Sequence, residues 1–275
     1  MATYWPEYSR SQWQKYIRDG YVLVNDQVST ETKLQLDEDD VVKHRVDKKP
    51  QIKSLDFDEI YRDDHVVVIN KPTGVLTHAK GVISDEYSIA EYMRPLQSNP
   101  DTTNRPGIVH RLDRATSGVI ICSRDTSTKR LLQKQFQDRK VHKTYIAVVD
   151  GVPNNDVALI DLPIARNPKK PSQHRVDTNG KPAQTSYRVL KTNGVESVVE
   201  LKPKTGRTHQ IRVHLEYIGC PIKGDVVYNP GTDAERLYLH ASELEITIPK
   251  SQRKTFSCPI PDDMQTVIDG IHESS

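Results

Sequence analysis

The chain has 275 residues, room for one large domain or a large one with a small companion. With 35% hydrophobic and 28% charged residues it has a globular rather than a disordered composition, and no apolar run approaches the roughly 20 residues needed to cross a bilayer. The net charge is +2, and Cys122, Cys220 and Cys258 are too few and too scattered for a disulfide framework or a zinc site.

The opening Met1-Ala2-Thr3-Tyr4-Trp5 lacks a charged-then-apolar signal pattern, so a cytoplasmic location and no membrane partner are expected. Ser9 is placed to cap a helix over Arg10–Asp19 that Gly20 stops. On it Trp13, Tyr16 and Ile17 share one face, and Arg10, Lys15 and Arg18 another. Tyr21–Val24 reads as a strand, Asn25-Asp26 as a turn, and Val41-Val42 as a second strand after the acidic stretch Asp37–Asp40. This segment resembles the small S4 RNA-binding domain, which presents basic residues to RNA from a helix and the turn after it. The usual opening strand and first helical turns would precede Met1, so the module reads as N-terminally clipped. Its six Lys/Arg against nine Asp/Glu also depart from a basic surface, and a structural cap is the alternative. The expected division is an S4-like module over 1–47, a polar linker over 48–55 and a catalytic domain over 56–275.

Beyond the linker, Val66–Asn70 and Val119–Cys122 read as strands, with Cys122 a buried small residue. Ser127–Asp138 reads as a helix with Leu131, Leu132 and Phe136 inward. Tyr145–Val149, Gln184–Leu190, Glu196–Leu201, Gln210–Leu215 and Tyr238–Ile248 carry strand-like patterns. Strands dominate without regular βαβ alternation, which predicts an α+β domain with a mixed, largely antiparallel sheet and flanking helices.

Charge is segregated. From Arg105 to Lys143 there are ten Lys/Arg against three Asp, and Leu201–Leu215 holds four basic residues and no acidic one. Such clustering fits a phosphate-backbone partner, although a solvated face would look similar. Within the first cluster, His110-Arg111-Leu112-Asp113-Arg114-Ala115-Thr116-Ser117-Gly118 sets one carboxylate between two guanidinium groups, whose opposite charge favours its ionised form. A glycoside hydrolase needs two carboxylates. A lone one suffices where the leaving group is itself a stable anion, as a pyrimidine base is. In the second cluster, Gly206-Arg207-Thr208-His209-Gln210-Ile211-Arg212-Val213-His214, Arg207 is expected to pair its planar fork with Asp113. On a strand His209 and His214 would face opposite sides, so no metal site is expected. Ile211 and Val213 read as core or pocket wall, and Asp225 as a turn residue. Tyr145, near the start of an apolar strand, could be a core residue or a stacking platform for an extruded base.

Taken together, HRLDRATSG, VVVINKPTG (66–74), KTYIAVVDG (143–151), GRTHQIRVHLEYIGCPIKGDVVY (206–228), LHASELEITIP (239–249) and the closing Phe256–Asp262 resemble the RluA-type RNA pseudouridine synthases over residues 56–263. The resemblance implies Asp113 as the catalytic carboxylate, Arg111 as the residue that fills the gap left by the extruded base, Tyr145 as the platform for the uracil, and Arg207 as the carboxylate's partner. Arg114 and the N-terminal Arg10, Lys15 and Arg18 are expected RNA contacts. The implied reaction is an isomerisation of uridine that needs no cofactor, in a chain expected to be a monomer. Ribosomal large-subunit RNA is the expected substrate, because an S4-like module before such a domain is the ribosomal arrangement. The alternatives are the same chemistry on tRNA and a non-catalytic RNA-binding or assembly factor. If the basic clusters meet phosphates, RNA affinity measured by filter binding should drop at least about 100-fold between roughly 50 and 200 mM salt; a flat response would show that they do not.

Overall fold

In the computed structural model, residues 10–44, 54–79, 86–99, 103–250 and 253–272 are described. The chain forms two compact units, Met1–Ser54 with Ala79–Tyr87, and Leu55–His78 with Ser88–Ser275. No helix among the described residues is long and apolar enough to cross a membrane.

The first unit begins with α1 (Arg10–Arg18). Trp13 and Tyr16 are buried and pack edge to face at 5.6 Å, Ile17 is half-buried, and Arg10, Lys15 and Arg18 are exposed. Gly20 ends the helix at φ 76°, with Tyr21 N–H returning to the Tyr16 carbonyl and Gly20 N–H to Ile17, the paired bonds of a Schellman cap. Strands β1 (Val22–Val24), β2 (Gln27–Val28) and β3 (Val42–His44) form a sheet in the order β2-β1-β3. Asn25 and Asp26 both take positive φ, 51° and 66°, which lets a two-residue turn match the twist of β1 and β2. The Ser9 cap and the linker from Asp47 to Gln51 lie outside the described residues.

The second unit contains β4 (Asp58–Arg62), β5 (Val66–Lys71), α2 (Ile89–Met93), β6 (Ser117–Ser123), α3 (Thr126–Gln137) and β7 (His142–Asp150). Next come β8 (Val157–Asp161), the β9–β10 hairpin (Ile164–Arg166, His174–Val176), β11 (Gln184–Thr192) and β12 (Glu196–Pro203). Helix α4 (Gln210–Tyr217), β13 (Leu239–Thr247), β14 (Arg253–Ser257) and α5 (Asp262–Gly270) complete it. The main sheet runs β4-β5-β6-β13-β7-β12-β11-β8, with β14 also paired to β13. Every neighbour pair in it is antiparallel except β6 with β13, so this is the mixed, largely antiparallel sheet of an α+β fold. β6 is buried along its whole length and Val66–Ile69 of β5 are at 0% exposure, which is why both read as continuous apolar runs rather than alternations.

Two expectations fail. Leu131 is exposed on α3 while its neighbour Leu132 is fully buried, because one helical step rotates a side chain by about 100° off the core. Gln210–Leu215 is a helix rather than a strand. All six residues are buried, so no polar face marks the 3.6 period, and Arg212 and His214 alternate with Ile211, Val213 and Leu215 in imitation of a strand. Both polar residues are satisfied inside: His214 sits 2.9 Å from the Thr185 hydroxyl and 3.0 Å from the Leu162 carbonyl.

The short parallel contact between β6 and β13 joins the halves of the sheet through His240↔Ser117 and Ala241↔Gly118. Gly118 has φ 117°, and a Cβ there would lie 2.2 Å from the Ala241 carbonyl oxygen. Gly118→Ala should therefore lower stability by about 3 kcal/mol in urea unfolding, from left-handed strain and overpacking together; an unchanged midpoint would show that the junction tolerates separation.

Candidate active site

Asp113 lies in the loop that feeds β6, and residues 71–77 clamp that loop. Thr73 Oγ1 donates to the Ala115 carbonyl at 2.8 Å, and Gly74 N–H donates to that of Arg114 at 2.9 Å. The Thr77 hydroxyl both donates to the Leu112 carbonyl (2.8 Å) and accepts from the Leu112 N–H (3.2 Å). Arg114 is exposed and returns its Nε to the Gly74 carbonyl at 3.0 Å. Beneath the two loops Lys71 is fully buried, its Nζ donating to the carbonyls of Pro72, Val75 and Arg114 at 2.9, 2.8 and 3.2 Å. Burial lowers its pKa to about 7, against the opposing pull of Asp113. Three carbonyl acceptors fill the donor capacity of one ammonium group, so Lys71 ties both loops through their backbones.

The partner of Asp113 comes from α4. Arg212 lies with Nη1 3.4 Å from Asp113 Oδ2, and grips the buried Asp225 bidentately through Nε and Nη2, both at 2.7 Å. Burial opposes its charge, but the Asp225 bonds and the two carboxylate charges outweigh it and raise the guanidinium above its ordinary pKa. Asp225 Oδ1 also accepts the backbone N–H groups of Val227 and Tyr228 at 3.0 and 3.1 Å, and the Tyr228 ring lies 5.1 Å from the Arg212 guanidinium carbon. The expected pair of Arg207 with Asp113 is not formed. Arg207 instead donates Nε to the Pro182 carbonyl at 3.1 Å. The reason lies in the helix: once residues 210–217 coil, Arg212 is turned onto Asp113 and Asp225 together, while Arg207 stays in the loop before it. Asp225, read as a turn residue, is thus also the fixed anchor of Arg212. A glycine-aspartate turn carries no sign of a distant guanidinium partner.

Asp113, Arg212, Tyr145, Arg111 and Arg207 line one cavity of about 480 Å³. Its apolar wall includes Ile211, Leu239 and Phe136, the last stacked on His110 at 4.5 Å. Val213 does not line it and packs in the core with Ile164 and Ala183. His110 Nε2 accepts the Ile121 N–H at 3.1 Å, and burial pushes its pKa down to about 3, so the ring is neutral. Burial and the charge of Asp113 push the Tyr145 hydroxyl well above its usual pKa, which keeps it protonated. Lys143, two residues before Tyr145 on β7, also lines the cavity, where burial lowers its pKa to about 8. Lys143 and Arg212 are among the cavity residues to which sequence reasoning assigned no role, as are the cations Arg139 and Lys204. Two-residue spacing from Tyr145 on a strand was a usable signal for Lys143. Arg111 is exposed at the cavity. Arg114 does not line it, and Arg10, Lys15 and Arg18 belong to the other unit.

A buried ion pair loses most of its attraction to desolvation, but removing one partner leaves an unpaired charge worth about 3–5 kcal/mol. Arg212→Met should therefore destabilise the chain by that amount in urea unfolding, and adding Asp225→Leu should restore much of it without restoring product formation. Recovery of both together would mean that Arg212 only fills space.

The sequence model of the RNA pseudouridylate synthase family matches residues 65–217. The chain is 41% identical over 211 residues to the ribosomal large subunit pseudouridine synthase D of Borreliella burgdorferi, covering 74% of this chain and 64% of that relative's length. It is 39% identical to the dual-specificity RNA pseudouridine synthase RluA of Vibrio vulnificus, over 70% of this chain and 78% of that one. Among solved structures, human RNA pseudouridylate synthase domain containing 4 superposes with a TM-score of 0.62 at 27% identity, covering 77% of this chain and 92% of that chain. By this family match and these relatives, the chain belongs to the RluA-type RNA pseudouridine synthases, a family of isomerases.

Proposed function

We propose that this chain converts specific uridines to pseudouridine in structured RNA, with Asp113 as the reacting carboxylate and ribosomal large-subunit RNA as the substrate. The observation that carries the reading is one carboxylate, fixed by Arg212 and by the 71–77 clamp, in a cavity whose cations include Arg111, Lys143 and Arg207. Such a cavity suits a base taken out of its stack. Tyr145 offers the ring on which uracil stacks, and Arg111 the side chain that occupies the vacated place in the RNA. The C1′–N1 bond breaks, the uracil turns in place, and C1′–C5 forms. C5 loses a proton and N1 gains one, so nothing is oxidised and no cofactor or metal is called for.

The detached uracil is an anion, and the cations around it lower its energy at the moment it is free. The partly apolar walls limit water, which would otherwise capture the sugar. Ribosomal RNA is favoured because the Borreliella burgdorferi relative is named for the ribosomal large subunit. The exposed Arg10, Lys15 and Arg18 of α1 are assigned to docking the same RNA. A tRNA substrate is the second reading, favoured by the net acidic first segment.

Incubating the full chain with large-subunit RNA or with tRNA, and mapping pseudouridine in each, separates the two. Asp113→Asn should reduce product formation by at least about 1,000-fold while RNA affinity stays within about twofold. Product from that variant at the wild-type rate would remove Asp113 from the reaction.

A further inference from the structure

His209 stands next to Asp113 and is held there by contacts that the reaction scheme does not use. It is the residue before α4 and takes a left-handed backbone, φ 55° and ψ 20°. That conformation brings Nε2 to 3.8 Å from Asp113 Oδ2, while Nδ1 lies 2.8 Å from the Tyr228 hydroxyl. The same hydroxyl accepts the His174 backbone N–H at 2.8 Å. With that lone pair used, the Tyr228 hydroxyl proton has one acceptor among the described residues, His209 Nδ1. A neutral imidazole carries one ring proton, so it resides on Nε2, facing the carboxylate. The opposite tautomer would leave the phenol proton without an acceptor and set a nitrogen lone pair against Asp113.

The surroundings keep the ring neutral. Burial lowers its pKa, and the nearby Arg212 and His174 add to this against the pull of Asp113 and Asp225. The His174 ring packs edge-on against it at 5.6 Å. Both Arg212 and His209 approach the same oxygen, Oδ2. Oδ1 has no hydrogen-bond or ion-pair partner among the described residues.

We propose that His209 is a positioning residue for the isomerisation: its Nε2–H, fixed by Tyr228, holds Oδ2 of Asp113 alongside Arg212 and so presents Oδ1 to the nucleoside. A neutral donor orients the carboxylate without adding a second full positive charge, which would weaken it as a nucleophile or base. The separation is beyond hydrogen-bond length in the free protein and closes when substrate fills the cavity. The inference rests on Asp113 being the reacting group.

The test uses the full chain, with single-turnover pseudouridine formation on a large-subunit RNA transcript and RNA affinity and thermal midpoint measured in parallel. Asparagine accepts the left-handed backbone but is too short to reach Oδ2, whereas glutamine can bring an N–H toward the place of Nε2. His209→Asn should lose about 30-fold in rate with RNA affinity within about twofold, and His209→Gln should recover to within about fivefold of wild type. Nitrogen-15 shifts of the His209 ring, which need no substitution and no turnover, should show Nε2 protonated and Nδ1 bare. Tyr228→Phe should abolish that preference. A protonated Nδ1 in the wild-type chain, full rate in His209→Asn, or equal losses for asparagine and glutamine would overturn the proposal. Asp113→Asn in the same assay separates the two ideas: an active Asp113→Asn removes the reading of Asp113, whereas an inactive one beside a fully active His209→Asn removes only the role of His209.

Discussion

One guanidinium shared by two carboxylates organises this site. Arg212 is committed to Asp225 by two bonds of 2.7 Å, both side chains nearly excluded from water, and reaches Asp113 with its remaining nitrogen at 3.4 Å. Such a pair does little for net stability, because the cost of drying two charges cancels most of their attraction. What it supplies is direction. Asp225 is itself pinned by the N–H groups of Val227 and Tyr228, so the position of Asp113 is referred, through Arg212, to the backbone after α4.

The other side of Asp113 is set just as firmly by uncharged means. Thr73, Gly74 and Thr77 bond backbone groups of 112–115, and buried Lys71 joins the Arg114 carbonyl to those of Pro72 and Val75 from below. The carboxylate is therefore held between a backbone clamp from one loop and a side-chain lever from a helix. The β6–β13 contact at Gly118 sits close to this loop in sequence and joins the halves of the sheet that carry them. A carboxylate held in place from both sides needs little rearrangement to act, and rearrangement during a reaction would add to its barrier.

Local chemistry made much of this legible. The Asn25-Asp26 turn, the Gly20 stop, the amphipathic α1 and the continuous apolar strands β5 and β6 follow from short-range rules that the structure obeys. Asp113, Tyr145, Arg111 and Arg207 were recognisable as residue types in basic motifs, and all four line one cavity. The error came where the local pattern was ambiguous. A helix buried on every side shows no amphipathic period, and its alternating polar residues imitate a strand. From that misreading followed the wrong partner for Asp113, because a strand gives no reason to turn Arg212 rather than Arg207 toward it. Long-range pairs, such as Arg212 with Asp225 and Lys71 with the Arg114 carbonyl, leave no trace in spacing.

The most direct test is a crystal structure of the chain with a uridine-containing RNA that it modifies. The account predicts one uridine out of its stack in the 480 Å³ cavity, its base against Tyr145, its C1′ beside Oδ1 of Asp113, and Arg212 still bonded to Asp225. RNA bound elsewhere on the chain, or an extruded base whose sugar lies beyond the reach of Asp113, would contradict it.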